Sequence, residues 1–319
     1  MLFSAAFQGL RVNQRRRQLW AVSAIAIGLS VLGLVLSWLT PAIGSPLRPG
    51  LDFTGGTQIR MERRCGERCP DLSVSAIQRQ LGALSLPQQT GQPPLNLAGS
   101  VVQSLDGGRQ IVLRMPSLAP DQAQAVIEGL QPLVGDTNPD GLSVDTIGPT
   151  LGSQLLRASL ISILVSFIGI SAYITLRYDR TYALLALLCL GHDVLITCGV
   201  FAWLGLLSAV EVNSLFAVAL LTIAGYSVND TVVIFDRIRE KRSSLQELPL
   251  ADQADAAVAA TLSRSLFTSF TTLLPLFGLI LFGGPTLFWF AVALSIGVIV
   301  GAWSSITIAP TLLPVLARR

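Results

Sequence analysis

Six stretches of the chain run for about 20 residues with scarcely a charge, near 20–39, 155–176, 182–205, 212–235, 266–284 and 287–316. A hydrocarbon layer about 30 Å thick is crossed by about 20 helical residues, so each stretch is long enough to span a bilayer. The last two form one apolar run broken at Gly283-Gly284-Pro285, which predicts a tight turn between an antiparallel pair. Between the first and second stretches the period changes. Thr57 to Arg63 alternates as a strand, Leu72 to Leu84 keeps helical spacing at Leu72, Ile77, Leu81 and Leu84, and Leu95 to Leu105 reads as extended. Asp106-Gly107-Gly108 is hairpin-turn chemistry leading into a second alternating run, Gln110 to Met115. Asp121 to Val134 is amphipathic with a helix start at Pro120, and Leu142 to Ile147 alternates again. The expected architecture is a polytopic α-helical membrane protein of six spans. One α+β domain of order β-α-β-β-α-β, the ferredoxin-like signature, lies between spans one and two.

Charge orients this arrangement. Arg11, Arg15, Arg16 and Arg17 precede span one, and Arg177 and Arg180 separate spans two and three. Arg237, Arg239, Lys241, Arg242 and Arg264 fall between spans four and five, and Arg318 and Arg319 end the chain. The two remaining short loops, near 206–211 and 283–286, carry no lysine or arginine. Cytoplasmic loops are enriched in these residues, so both termini are expected inside and segment 40–154 outside. This gives a cytoplasmic N-terminus at 1–19, an exoplasmic domain at 40–154, and a membrane domain at 155–319 with a cytoplasmic loop at 236–265. The first apolar run is long for the core of a cleaved signal peptide, so it is read as a span.

Composition narrows the chemistry. With 51% hydrophobic and 13% charged residues, the chain is too apolar for two soluble domains. Lys241 is the sole lysine, so a phosphate-cradling G-x-x-x-x-G-K-[ST] loop is excluded and energy must come from a partner or a gradient. The single histidine, His192, argues against His-rich metal sites and a Ser-His-Asp hydrolase; neither an enzymatic activity nor a metal or other cofactor is expected. A net charge of +3 follows from topology and gives no reason to invoke nucleic acid. Cys65 and Cys69 fall in the outer domain, where a local disulfide is permitted and free thiols are the alternative.

An ionisable group inside a span costs roughly 2.5–3.5 kcal/mol on insertion scales, so a retained one points to function. His192 and Asp193 sit near the middle of span three, Asp230 lies on span four, and Arg264 stands just before span five. The functional reading is a proton relay in which a carboxylate alternates between charged and neutral forms beside an arginine. The structural alternatives are an interfacial Asp230 paired to Arg237 or Arg239, a helix-bridging hydrogen bond at His192 or Asp193, and an anchoring role for Arg264. Gly297 and Gly301 form a G-x-x-x-G in the last span that permits close helix approach.

Three longer motifs are more specific. They are Gly50-Leu51-Asp52-Phe53-Thr54-Gly55-Gly56-Thr57, Val144-Asp145-Thr146-Ile147-Gly148-Pro149, and the span-four run from Gly225-Tyr226-Ser227-Val228-Asn229-Asp230 through Asp236-Arg237 to Glu240. Together they resemble the SecF family, accessory membrane subunits of the bacterial Sec protein-export machinery related to the resistance-nodulation-division transporters. The resemblance covers nearly the whole chain. It implies half of a twelve-span unit completed by a SecD subunit, association with the SecYEG channel and the SecA motor, and contact with membrane lipid and an unfolded translocating polypeptide. It also implies late-stage export driven by a proton gradient in the bacterial inner membrane, or in an internal thylakoid-type membrane. Asp230 matches the family's membrane aspartate and Arg264 its span-five arginine, with Asp236 and Arg237 beside them. Ala259-Ala260 and Phe267 stand where the family commonly has asparagines nearby. Two other readings compete: half of a small-molecule or lipid exporter of the related transporters, and a passive scaffold of the channel.

Overall fold

A computed structural model describes residues 11–65, 69–70, 72–87 and 95–317. The expected basic ends Arg318 and Arg319, and residues 66–68 between the two cysteines, lie outside the described residues. The chain forms two compact units, Gly50–Arg157 and Met1–Pro49 with Ala158–Arg319.

The smaller unit carries β1 (Gly56–Arg63), α2 (Val74–Ala83), β2 (Val101–Leu105), β3 (Gln110–Met115), α3 (Pro120–Val134) and β4 (Thr137–Ile147), α1 being the helix that precedes it. The strands form one sheet of order β2-β3-β1-β4 with every pair antiparallel. Period-2 alternation puts Ile59 and Met61 opposite Leu113 and Ile111, and these four side chains meet Ile77 and Leu81 of α2 and Val126 and Leu130 of α3 in a single core. The alternating and helical patterns therefore become one helix-covered sheet face. Two boundaries differ from the sequence reading. The extended run ending at Leu105 is a strand only from Val101, because a turn at residues 98–99 precedes it. β4 begins at Thr137 and not at Leu142, since the register shift between Arg60 and Glu62 absorbs the turn-like Asn138-Pro139-Asp140-Gly141. An edge strand tolerates Pro139, whose missing N–H interrupts no inner ladder.

The larger unit contains α1 (Arg16–Leu39), most of α4 (Pro149–Arg177), α5 (Arg180–Ser208), α6 (Ser214–Ser244), α7 (Leu250–Phe282), α8 (Gly284–Trp303) and α9 (Ala309–Leu316), with a π turn at Ser304–Ile308 joining the last two. Among the described residues, six helical spans are long and apolar enough to cross a membrane, and the helices turn large apolar side chains outward. Val22, Ile25 and Leu29 on α1, Leu160 and Leu164 on α4, and Phe270 and Phe277 on α7 are all exposed. Water does not tolerate so large an apolar surface, and lipid does. The chain is a multi-pass membrane protein. Close approach is built from small residues: the indole of Trp203 fills the space beside Gly33 and donates to Leu29 O at 2.9 Å, and Ser30 lies against Gly199. Gly297 lies against Ile223 and Gly301 beside Ser227, so the G-x-x-x-G serves packing within this chain. The segment 236–265 is not an irregular loop. Helix α6 continues to Ser244 and α7 starts at Leu250, leaving only residues 245–249 between them. Asn213 starts α6 by accepting from Phe216 N at 3.2 Å, and Gly284, at φ +71°, turns the chain between α7 and α8.

Candidate functional site

Four helical segments bring polar side chains to one place in the apolar interior. Asp193 of α5 is fully buried, and its Oδ2 accepts from Ser227 Oγ of α6 at 2.6 Å and from Ser304 Oγ at 2.8 Å. Its Oδ1 lies 2.8 Å from His192 Nδ1, which leaves His192 Nε2 buried without a hydrogen-bond partner. Asp230 of α6, 8% exposed, has Ser265 Oγ of α7 at 2.7 and 2.9 Å from its two oxygens, and Ser305 Oγ donates to its Oδ2. Neighbouring residues on a helix point about 100° apart. At the head of the π turn, Ser304 and Ser305 use that divergence to reach the two carboxylates at once.

The serines give the cluster its chemistry. Ser304 Oγ is also 3.1 Å from Gly301 O, and Ser305 Oγ 3.2 Å from Ala302 O. Each hydroxyl has one hydrogen and two acceptors. It donates to a charged carboxylate, or turns its hydrogen to the helix carbonyl and accepts from a protonated carboxyl group. Both protonation states of Asp193 and Asp230 are thereby satisfied without moving a helix.

Arg264 is not brought to Asp230. It is exposed, and the neighbouring Ser265 is the residue that faces inward. The interfacial pairing of Asp230 with Arg237 or Arg239 is absent as well. Arg237 Nη1 donates to Glu240 at 2.5 Å, and the Arg239 guanidinium lies 5.8 Å from the Tyr178 ring centre. Asp236 accepts from the Tyr178 hydroxyl at 3.1 Å, and burial with this carboxylate beside it pushes the Tyr178 phenol up to about 12. The Tyr226 hydroxyl donates to Ser269 Oγ at 3.0 Å, while Gly225 and Asn229 are exposed on α6. Sequence reasoning passed over Ser265, Ser304 and Ser305. The available signal was a pair of adjacent hydroxyls in an apolar run shortly before Pro310.

The family model for the protein export membrane protein SecD/SecF, C-terminal, matches residues 131–319, and the model for the SecD/SecF GG motif matches residues 43–66. The chain belongs to the SecD/SecF family. It is 51% identical over 303 residues to the protein translocase subunit SecF of Prochlorococcus marinus, covering 95% of this chain and 94% of that protein. It is 40% identical over 296 residues to the SecF of Synechocystis sp., covering 92% and 90%. A crystal structure of SecDF, described as a translocon-associated membrane protein from Thermus thermophilus, superposes with a TM-score of 0.77 at 29% identity. That match covers 97% of this chain and 39% of the SecDF chain.

The SecD/SecF GG motif has a steric reason here. Gly55, at φ +67°, lies so close to the start of α4 that an added Cβ would stand 2.8 Å from Pro149 Cα. At Gly56, with φ +113°, an added Cβ would stand 2.6 Å from Met115 O, closer than van der Waals contact allows. Gly152 presses back on Gly55 N, so the chain entering the smaller unit and the chain leaving it touch backbone to backbone. Thr57, fully buried, then accepts from Leu118 N at 2.8 Å and meets Thr146 Oγ1 at 3.0 Å. Asp52 lies in the short helical turn Leu51–Thr54, Asp145 is exposed on β4, and Gly148 accepts through its carbonyl from Gly152 N. Cys65 and Cys69 are joined as a disulfide. Buried Arg63 holds that corner by donating to Val134 O, Pro70 O and Gly108 O at 2.9–3.0 Å. Cys189 and Cys198 are free thiols within α5.

Proposed function

We propose that the chain is an auxiliary, non-enzymatic subunit of the Sec protein translocase that uses a proton gradient to promote a late stage of export. One observation carries this reading. Asp230 is buried among apolar helices with no cation beside it among the described residues, yet serines from two other segments hold it. One of them, Ser305, has a helix carbonyl beside its hydroxyl and so suits either protonation state. Retaining a carboxylate in a span costs roughly 2.5–3.5 kcal/mol, which favours a role beyond packing.

Partner and topology fit the same reading. In Thermus thermophilus and Brucella abortus the matching relatives are named SecDF, and the aligned region is 33% and 36% of them, which supports a SecD subunit as the partner that completes the pseudo-symmetric unit. An exposed stripe of Arg264, Thr268 and Thr271 on α7 and Thr222, Gly225 and Asn229 on α6 gives that partner a polar face to cover. In this arrangement Arg264 serves a carboxylate of SecD. The arginine-rich helix ends are cytoplasmic and the smaller unit is periplasmic, in a bacterial inner membrane or an internal membrane, beside SecYEG and SecA. The strand order and element order of the smaller unit fit a ferredoxin-like module. Its edge strand β4 exposes Leu142 and Val144, which suits strand addition by an extended polypeptide.

Inverted vesicles carrying Asp230→Asn, assayed for preprotein import with and without a proton gradient, test the reading. Gradient-dependent import is expected to disappear while assembly with SecD is unchanged; import that stays coupled to the gradient would favour a passive scaffold.

A further inference from the structure

Where α5 begins and α6 ends, a cleft of about 560 Å³ opens, lined by Asp179, Tyr182, Arg239, Arg242, Ser243 and Gln253 among others. One of these side chains is buried yet incompletely bonded. Gln253, 5% exposed, donates through Nε2 to Leu245 O at 2.9 Å and Leu248 O at 2.8 Å. Both amide hydrogens are used, which fixes the amide orientation and leaves Oε1 without a donor. Tyr182, 4% exposed and packed edge-on against Phe235, has Arg242 as the charged partner of its hydroxyl. Proteins leave few buried polar atoms unsatisfied, so the orphan acceptor of Gln253, a residue of the cleft lining, points to a missing ligand.

Charge says which kind. Arg239 and Arg242 are exposed on the cleft, and neither is ion-paired to a carboxylate among the described residues. Asp179 is the acidic member of the lining. The site therefore offers two guanidinium groups to an anion, and two acceptors, Gln253 Oε1 and the Asp179 carboxylate, to hydroxyl donors. It lies at helix ends that also carry Arg177, Arg180 and Lys241, the level at which lipid headgroups meet a membrane protein.

We propose that this cleft binds the headgroup of an anionic phospholipid that bears free hydroxyls, of which phosphatidylglycerol is the simplest. Arg239 and Arg242 hold the phosphodiester. The glycerol hydroxyls supply the donor that Gln253 Oε1 lacks and a second one for the exposed Asp179 carboxylate. Free phosphate satisfies only the first half of this set, and a zwitterionic headgroup brings its own cation to the arginines.

The test is native mass spectrometry of the delipidated full chain in detergent, titrated separately with phosphatidylglycerol, phosphatidic acid, phosphatidylcholine and inorganic phosphate. Phosphatidylglycerol is expected to bind best. Arg239→Gln/Arg242→Gln should weaken it roughly tenfold or more, as two lost surface cations imply. Arg177→Gln/Lys241→Gln removes the same charge from the same helix ends outside the cleft and should change binding less than about threefold. Thermal unfolding without lipid is expected to be the same for both double variants. Unaltered phosphatidylglycerol binding in the cleft variant would overturn the proposal. So would equal losses in the two variants, or phosphatidic acid and inorganic phosphate binding as well as phosphatidylglycerol.

Discussion

Ser305 Oγ stands between Asp230 and Ala302 O, and Ser304 Oγ stands between Asp193 and Gly301 O. A hydrogen bond to a charged group contributes about 1.5–3 kcal/mol, the difference between a held and an unheld carboxylate in a span. Ser305→Ala removes one of Asp230's two serine donors and keeps the backbone. Gradient-driven export in vesicles should fall roughly tenfold or more, the ratio that the lost bond implies. Ser305→Thr keeps a hydroxyl on Cβ and should restore most of it. Equal activity of the Ala and Thr variants would show that the hydroxyl is packing only. The two carboxylates were legible in the sequence because charge in an apolar run is costly. Their partners were not, because serine and threonine are common in spans and usually bond their own helix, as Thr222 and Thr268 do here. Arg264 was read as a partner of Asp230 from its place before span five and from the family resemblance, whereas helical phase turns the adjacent Ser265 inward.

At the scale of elements, hydrophobic length predicted all six spans, and period 2 against 3.6 predicted the order of the smaller unit. The boundaries that shifted share one cause, local chemistry overridden by pairing or by helix continuation. The charges after Phe235 read as a loop, but residues 236–244 form the solvated end of α6. Asn138-Pro139-Asp140-Gly141 reads as a turn, but a bulge carries it along β1. The π turn left no periodic signature because it adds only one extra residue to a helical turn. The GG motif is the element whose cost can be measured. Gly56→Ala would place a Cβ 2.6 Å from Met115 O at φ +113°, and strain of this kind costs about 1–3 kcal/mol. Nothing lies within 4 Å of a Cβ at Gly99. Limited proteolysis of the full chain should therefore cut the smaller unit several-fold faster in Gly56→Ala than in Gly99→Ala. Equal cutting rates would remove the steric account of the motif.

For the whole molecule, the question is which surface meets lipid and which meets protein. Apolar exposure on α1 and α4 is what hydrocarbon requires, but the stripe of Thr222, Gly225 and Asn229 on α6 with Arg264, Thr268 and Thr271 on α7 is poorly suited to it. The threonine hydroxyls bond their own helices, so the stripe's remaining demand is concentrated in Asn229 and the Arg264 guanidinium. An uncompensated arginine in a span costs roughly 2.5–3.5 kcal/mol on insertion scales, and a carboxylate on a neighbouring helix offsets that cost directly. SecD, joined to the homologous region in the SecDF relatives, is the subunit that would bring such a helix. Single cysteines at Thr222, Asn229 and Thr268, in a chain whose Cys189 and Cys198 are replaced by alanine, are expected to form oxidative cross-links to cysteines in SecD spans. Cysteines at Leu160 and Leu164, on the apolar outer face of α4, should form none. Cross-linking confined to α4 would place the subunit interface on the wrong side of the molecule and leave Arg264 facing lipid, where its charge could act only by reaching toward the headgroups.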